Sequence, residues 1–89
     1  MLVVKLVRYS FPDDPDWVII EESVPLGTIY KVLGVAKDIT ITNENLNKSK
    51  VVDCYIVLRD GDYMPGYMPA DLLEEFVLVE QWQKNTYIN

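Results

Sequence analysis

Residues 51–63, Val-Val-Asp-Cys-Tyr-Ile-Val-Leu-Arg-Asp-Gly-Asp-Tyr, join the clearest strand pattern in the chain to its clearest turn. Cys54, Ile56 and Leu58 fall on one face, while Asp53, Tyr55, Val57 and Arg59 fall on the other. This is the period-two alternation of a strand with one face on a core. Asp60-Gly61 follows, and glycine takes a positive φ without steric cost, so the pair marks a hairpin. A chain built around such a segment is expected to be β throughout.

The flanking segments support that expectation. Met1 to Tyr9 alternates Leu2, Val4 and Leu6 against Val3, Lys5 and Val7 and predicts a first strand. Ser10 to Asp16 carries two prolines and three aspartates, which predicts a loop. Trp17 to Ile20 is a short apolar run that would return against the first strand. Thr28 to Val35 predicts the second strong strand, with Gly34 marking a bend or bulge, and Asp38 to Thr42 a short strand with Ile39 and Ile41 inward. Asn43 to Lys50 reads as a solvated loop. Tyr63 to Met68 predicts an edge strand interrupted by Pro65, Pro69 to Glu75 a turn or two of helix, and Phe76 to Val79 the closing strand. Glu80 to Asn89 is a polar tail bearing Trp82 and Tyr87.

With 89 residues and 49% apolar content the chain suffices for one domain with one modest core. A domain of this size buries only about 60% of its unfolded surface, so covering apolar area by self-association is an open route to stability. The net charge of −6 repels phosphate backbones and anionic bilayers, which disfavours direct nucleic-acid and membrane binding and allows a basic partner. No signal peptide or membrane span is read at the start, and the single cysteine, Cys54, has no internal partner, so a cytoplasmic location is expected.

Three pieces resemble a diffuse group of small SH3-like barrel proteins of phages, prophages and Gram-positive bacteria. Val24-Pro-Leu-Gly-Thr-Ile-Tyr-Lys-Val32 is similar to the group's "L-x-x-G-K-x-Y-x-V" opening, with Thr28 in place of the basic residue. Tyr55-Ile-Val-Leu-Arg-Asp-Gly-Asp62 is similar to its "Y-x-I-x-D-D-x-G" hairpin. Tyr67-Met-Pro-Ala-Asp-Leu-Leu-Glu-Glu-Phe-Val77 is similar to its closing "P-x-x-x-F-E-x-V", here with Glu74-Glu75 before Phe76. The resemblance implies an all-β, five-stranded SH3-like barrel over about residues 24–79. Residues 1–20 would form an extra N-terminal strand pair and residues 80–89 a tail. No Ala-Leu-Tyr-Asp-Tyr run is present, so no proline-ligand groove is carried over.

Chemistry is constrained from the negative side. The sequence holds no histidine, which removes the commonest general base and the usual nucleophile triads. Cys54 sits at a core position unsuited to a low-pKa thiol. Asp60, Asp62 and the trio Asp13, Asp14, Asp16 could offer oxygens to a divalent ion, but turn chemistry and solvation explain them. The expectation is a non-enzymatic accessory protein of phage or prophage character, with no cofactor and no metal, that binds a host protein or a second copy of itself. Other readings are an oligomer that holds a nucleotide-like small molecule, a metal-dependent hydrolase using the aspartate pairs, and a structural virion component. The contact surface is assigned to Tyr63, Met64, Tyr67 and Met68, with Trp17 or Trp82, because aromatics and thioethers are enriched at interfaces.

Overall fold

The computed structural model describes residues 2–59 and 64–77. The chain runs β1 (Leu2–Leu6), β2 (Ser10–Phe11), β3 (Asp14–Val18), β4 (Ile29–Asn43), β5 (Lys48–Arg59), β6 (Gly66–Pro69), a 3₁₀ turn (Ala70–Leu72) and β7 (Leu73–Val77). The architecture is all-β: a five-stranded antiparallel sheet of order β6-β5-β4-β1-β7, and a separate two-stranded sheet of β2 and β3.

An added N-terminal strand pair is present, but it is β2 with β3 rather than β1 with the segment after Trp17. β1 lies inside the main sheet, paired with β4 on one side and β7 on the other. Trp17 and Val18 return not on β1 but on β2, where Ser10 faces Val18 and Phe11 faces Asp14. The segment read as a loop, 10–16, is therefore largely a small hairpin. Pro12 occupies its turn, and Pro15 is tolerated in β3 because a two-stranded ribbon has outer edges that need no N–H donor.

β4 continues through Gly34 and Asp38 to Asn43 because two bulges absorb what looked like breaks. One extra residue lies between the Val32–Val57 and Gly34–Ile56 pairs, another between Ala36–Cys54 and Ile39–Val52. Asp38 takes φ 56° at the second bulge, its N–H donating to Asp53 Oδ1 at 3.2 Å. The expected solvated loop shrinks to a four-residue turn between Asn43 and Lys48, with Asn47 at φ 53° and Asn43 Oδ1 accepting from Leu46 N–H at 3.0 Å. The predicted β5–β6 hairpin is present, with Ile56 opposite Tyr67 and Tyr55 opposite Met68. Its tip, Asp60 to Tyr63, lies outside the described residues. β6 begins after Pro65, as that residue's missing donor requires. The helical segment is only three residues long, and Leu73 to Glu75, expected in it, are strand, with Glu74 opposite Lys5.

Two clusters form the interior. The first gathers Val4, Leu6, Tyr30, Val57, Met68 and Leu72, the second Phe11, Trp17, Val52 and Cys54. Directly paired residues share a face. The Val4–Tyr30, Val32–Val57 and Tyr55–Met68 pairs therefore define an inner face against the first cluster. Cys54 with Ala36, and Val52 with Ile39, lie on the opposite, outer face against the second. β5 is thus covered on both faces at different points along its length. Cys54 is buried as expected, but Val57 is buried where Ile56 and Leu58 are only half-buried.

The sheet curls until its ends approach. Met68 of β6 shares a cluster with Val4 and Leu6 of β1, and the Tyr55 hydroxyl of β5 donates to Glu75 Oε1 of β7, with two strands between them in the sheet. Among the described residues no pairing joins β6 to β7, so the sheet is open at that seam. Leu72 in the 3₁₀ turn fills the end of the curl, fully buried, and its carbonyl accepts from Val7 N–H at 2.9 Å.

Glu75 holds the Tyr55 phenol neutral and, with burial, pushes its pKa up to about 12. The folded value lies above the unfolded one. The bond's contribution is therefore complete below the ordinary tyrosine pKa near 10 and is lost as pH rises through about 12. In Glu75→Gln, ultraviolet titration should show the last-ionising tyrosine move down toward 10, and Tyr55→Phe should remove that step. A last step unchanged in Glu75→Gln would exclude the contact.

Candidate interaction surface

The outer face of the main sheet is built from the residues that alternate away from the first core. Past Cys54 its rows are Gly34–Ile56–Tyr67 and Lys31–Leu58, with Leu33 bulged beside them. Leu33 is 54% exposed and Tyr67 65%, while Ile56 and Leu58 are half-buried. Gly34 matters because it leaves the space beside Ile56 open: a Cβ there would lie 3.5 Å from Ile56 Cδ1. A shallow cleft of about 320 Å³ is lined by Ile56, Pro65, Gly66 and Tyr67. The result, among the described residues, is an apolar surface running across β4 and β5 to the edge strand β6.

The sequence-assigned contact residues separate. Tyr67 lies on this surface, and Met64, next to Pro65 in the chain, is 80% exposed. Met68 points to the inner face and is 7% exposed; Trp17 is 4% exposed, its ring edge-on to Phe11 with centroids 5.2 Å apart. These two are core residues and offer no contact area. Tyr63 and Trp82 lie outside the described residues. Ile56 was missed as a surface residue because alternation alone assigned β5's even positions to the core, and Leu33 because it shares its β4 face with Ile29 and Val35. The uninterrupted apolar run from Cys54 to Leu58 was the available signal that both faces carry apolar side chains.

The second cleft, about 300 Å³, lies between β5 and the 3₁₀ turn and is lined by Lys50, Val51, Val52, Asp53, Ala70 and Asp71. It is the more polar of the two. Lys50 Nζ is already bound to Asp13 Oδ1 at 2.7 Å and sits 4.3 Å from the centre of the Phe11 ring. That hydrogen bond holds the Asp13 carboxyl below its ordinary pKa. Asp14 Oδ2, 2.7 Å from Lys48 Nζ, raises the lysine's pKa in the same way. Burial pushes the Cys54 thiol up, and neighbouring Asp53 adds to the shift, so the thiol is a poor nucleophile. Among the described residues no group of three or more Cys, Asp or Glu side chains is placed to hold a metal ion. None of their helices is long and apolar enough to cross a membrane.

Compared with protein-family models, with curated proteins and with solved structures, the chain matches none.

Proposed function

We propose that this chain is an SH3-like small barrel of phage or prophage character that acts in the cytoplasm by holding a protein partner rather than by chemistry. The strand order supports the barrel reading. The last strand lies beside the first, a hairpin is inserted after β1, and a 3₁₀ turn separates the final two strands. A sequence without histidine, whose one thiol is buried, is poorly equipped for acid–base or nucleophilic catalysis.

The observation that carries the binding reading is the continuous apolar surface Leu33, Ile56, Pro65 and Tyr67. Scattered exposed apolar residues need no explanation, but a contiguous patch bearing an aromatic anchor and a cleft has the composition of an interface core. Truncating a central aromatic at an interface costs about 2 kcal/mol or more, a loss of at least about thirtyfold in affinity. Tyr67→Glu and Leu33→Glu should therefore abolish capture of the partner from host lysate, with unchanged far-ultraviolet circular dichroism and melting temperature. Met68 is unsuitable for this test because charging it would unfold the core. A partner retained by both variants, or a wild-type chain that is monomeric and captures nothing, would refute the assignment.

A further inference from the structure

The two-stranded β2–β3 sheet lies over the outer face of β4 and β5, yet no ladder joins it to the main sheet among the described residues. Two kinds of contact fasten it to β4 and β5, while Tyr9, Ile19 and Ile20 at its base pack on the first cluster and β2 also approaches the 3₁₀ turn. Phe11 and Trp17 bury themselves against Val52 and Cys54, with Ile39, Ile41 and Leu46 around them. The ion pairs Asp13–Lys50 and Asp14–Lys48 close over that packing, and the Lys50 ammonium also caps the Phe11 ring. Both lysines come from β5, and both aspartates from the tip of the hairpin.

What lies beneath is the continuation of the apolar surface described above. Cys54 pairs with Ala36 and Pro69, and the next outer-face row is Gly34–Ile56–Tyr67. That face is therefore exposed at Leu33 and Tyr67, buried at Val3 in the row with Lys31 and Leu58, and covered at Cys54 and Val52 by a unit with its own small core. We infer that the β2–β3 hairpin is a lid that opens as a unit while the main sheet stays folded, with the Asp13–Lys50 and Asp14–Lys48 pairs as its latch. Opening would extend the exposed face from Tyr67 and Ile56 to Cys54 and Val52, and would free Lys48 and Lys50 beside the polar cleft. Units that open below the global unfolding free energy are those held by few contacts, and exposed ion pairs are weakened by salt.

Cys54 is the chain's only thiol and reports the opening directly. Its reaction with Ellman's reagent, followed under native conditions without any partner, should be faster than global unfolding allows. It should rise about three- to tenfold in Lys48→Ala/Lys50→Ala and in wild type at high salt, since exposed pairs are individually weak. Hydrogen exchange supplies the second reading: the Ile19 and Ile20 amides, which donate to the Tyr9 carbonyl inside the hairpin unit, should keep their protection while Cys54 reacts. The β1 and β7 amides should keep theirs. Thiol labelling at the global unfolding rate in wild type, or loss of protection across β1 and β7 together with the hairpin in the double variant, would overturn the inference. These readings stand apart from the binding proposal, because a working lid on a chain that captures nothing, and a binder with a fixed hairpin, are separate results.

Discussion

Leu6→Ala should remove about 2–5 kcal/mol of stability, the range for deleting a fully buried leucine side chain. Leu6 is 0% exposed at the centre of the first cluster. It sits where β1 is flanked by β4 and β7 and where Leu72 closes the curl. Its own backbone is fixed from both sides: its N–H donates to the Thr28 carbonyl at 2.9 Å, and its carbonyl accepts from Gly27 N–H at 2.7 Å. Gly27 stands at φ +90°, a conformation its lack of a Cβ permits. The surroundings are therefore poorly placed to collapse into the void, which favours the upper part of the range. Domains of this length have total stabilities of about 4–13 kcal/mol, so the variant would lose a large share of the whole. Each kcal/mol is worth about 4–8 °C of melting temperature at this size, so thermal unfolding should drop by at least about 10 °C. A shift of only a few degrees would mean that Leu6 is not at the centre of the cooperative core.

The sequence carried the β class, the β5–β6 hairpin, the edge character of the segment after Pro65 and the burial of Cys54, because each depends on local rules. Alternation specifies two faces, and Asp60-Gly61 and Pro65 specify a turn and a break. What was not legible depends on which face is covered, and by what. A period of two cannot say that Val57 faces one core while Cys54 faces another, since that follows from the hairpin folding over one end of β5. Likewise Gly34 and Asp38 looked like strand breaks because a bulge and a break share the same residues. Only the partner strand, running past without interruption, distinguishes them. Asp13, Asp14 and Asp16 read as solvation for the same reason: the lysines that engage the first two lie 34 and 37 positions away in sequence. Part of the candidate surface was visible in Tyr67, whose type is unusual outside a core or an interface. Leu33 and Ile56 have the types of core residues, and only the register exposes them.

Phe11→Ala is expected to produce the second large effect, and a differently distributed one. Phe11 is 0% exposed, meets Trp17 edge-to-face at an interplanar angle of 83°, and lies under the Lys50 ammonium. Burial of a phenyl ring accounts for about 3–5 kcal/mol, and the aromatic pair and the cation contribute about 1 kcal/mol within it. The second cluster has four buried members, so removing Phe11, the most deeply buried of them, leaves Trp17, Val52 and Cys54 without a centre. The buried members of the first cluster include none from β2 or β3, and only Tyr9, Ile19 and Ile20 at the base of the hairpin pack against it. The loss should therefore fall on the hairpin: Cys54 labelling should accelerate by at least about a hundredfold, the equivalent of about 3 kcal/mol. Amides of β1, β4 and β7 that face the first cluster should stay protected, and the denaturant midpoint of the main sheet should fall much less than for Leu6→Ala. If instead Phe11→Ala and Leu6→Ala lower the midpoint equally and deprotect the same amides, the two clusters form one cooperative core and the hairpin has no independence from the sheet it covers.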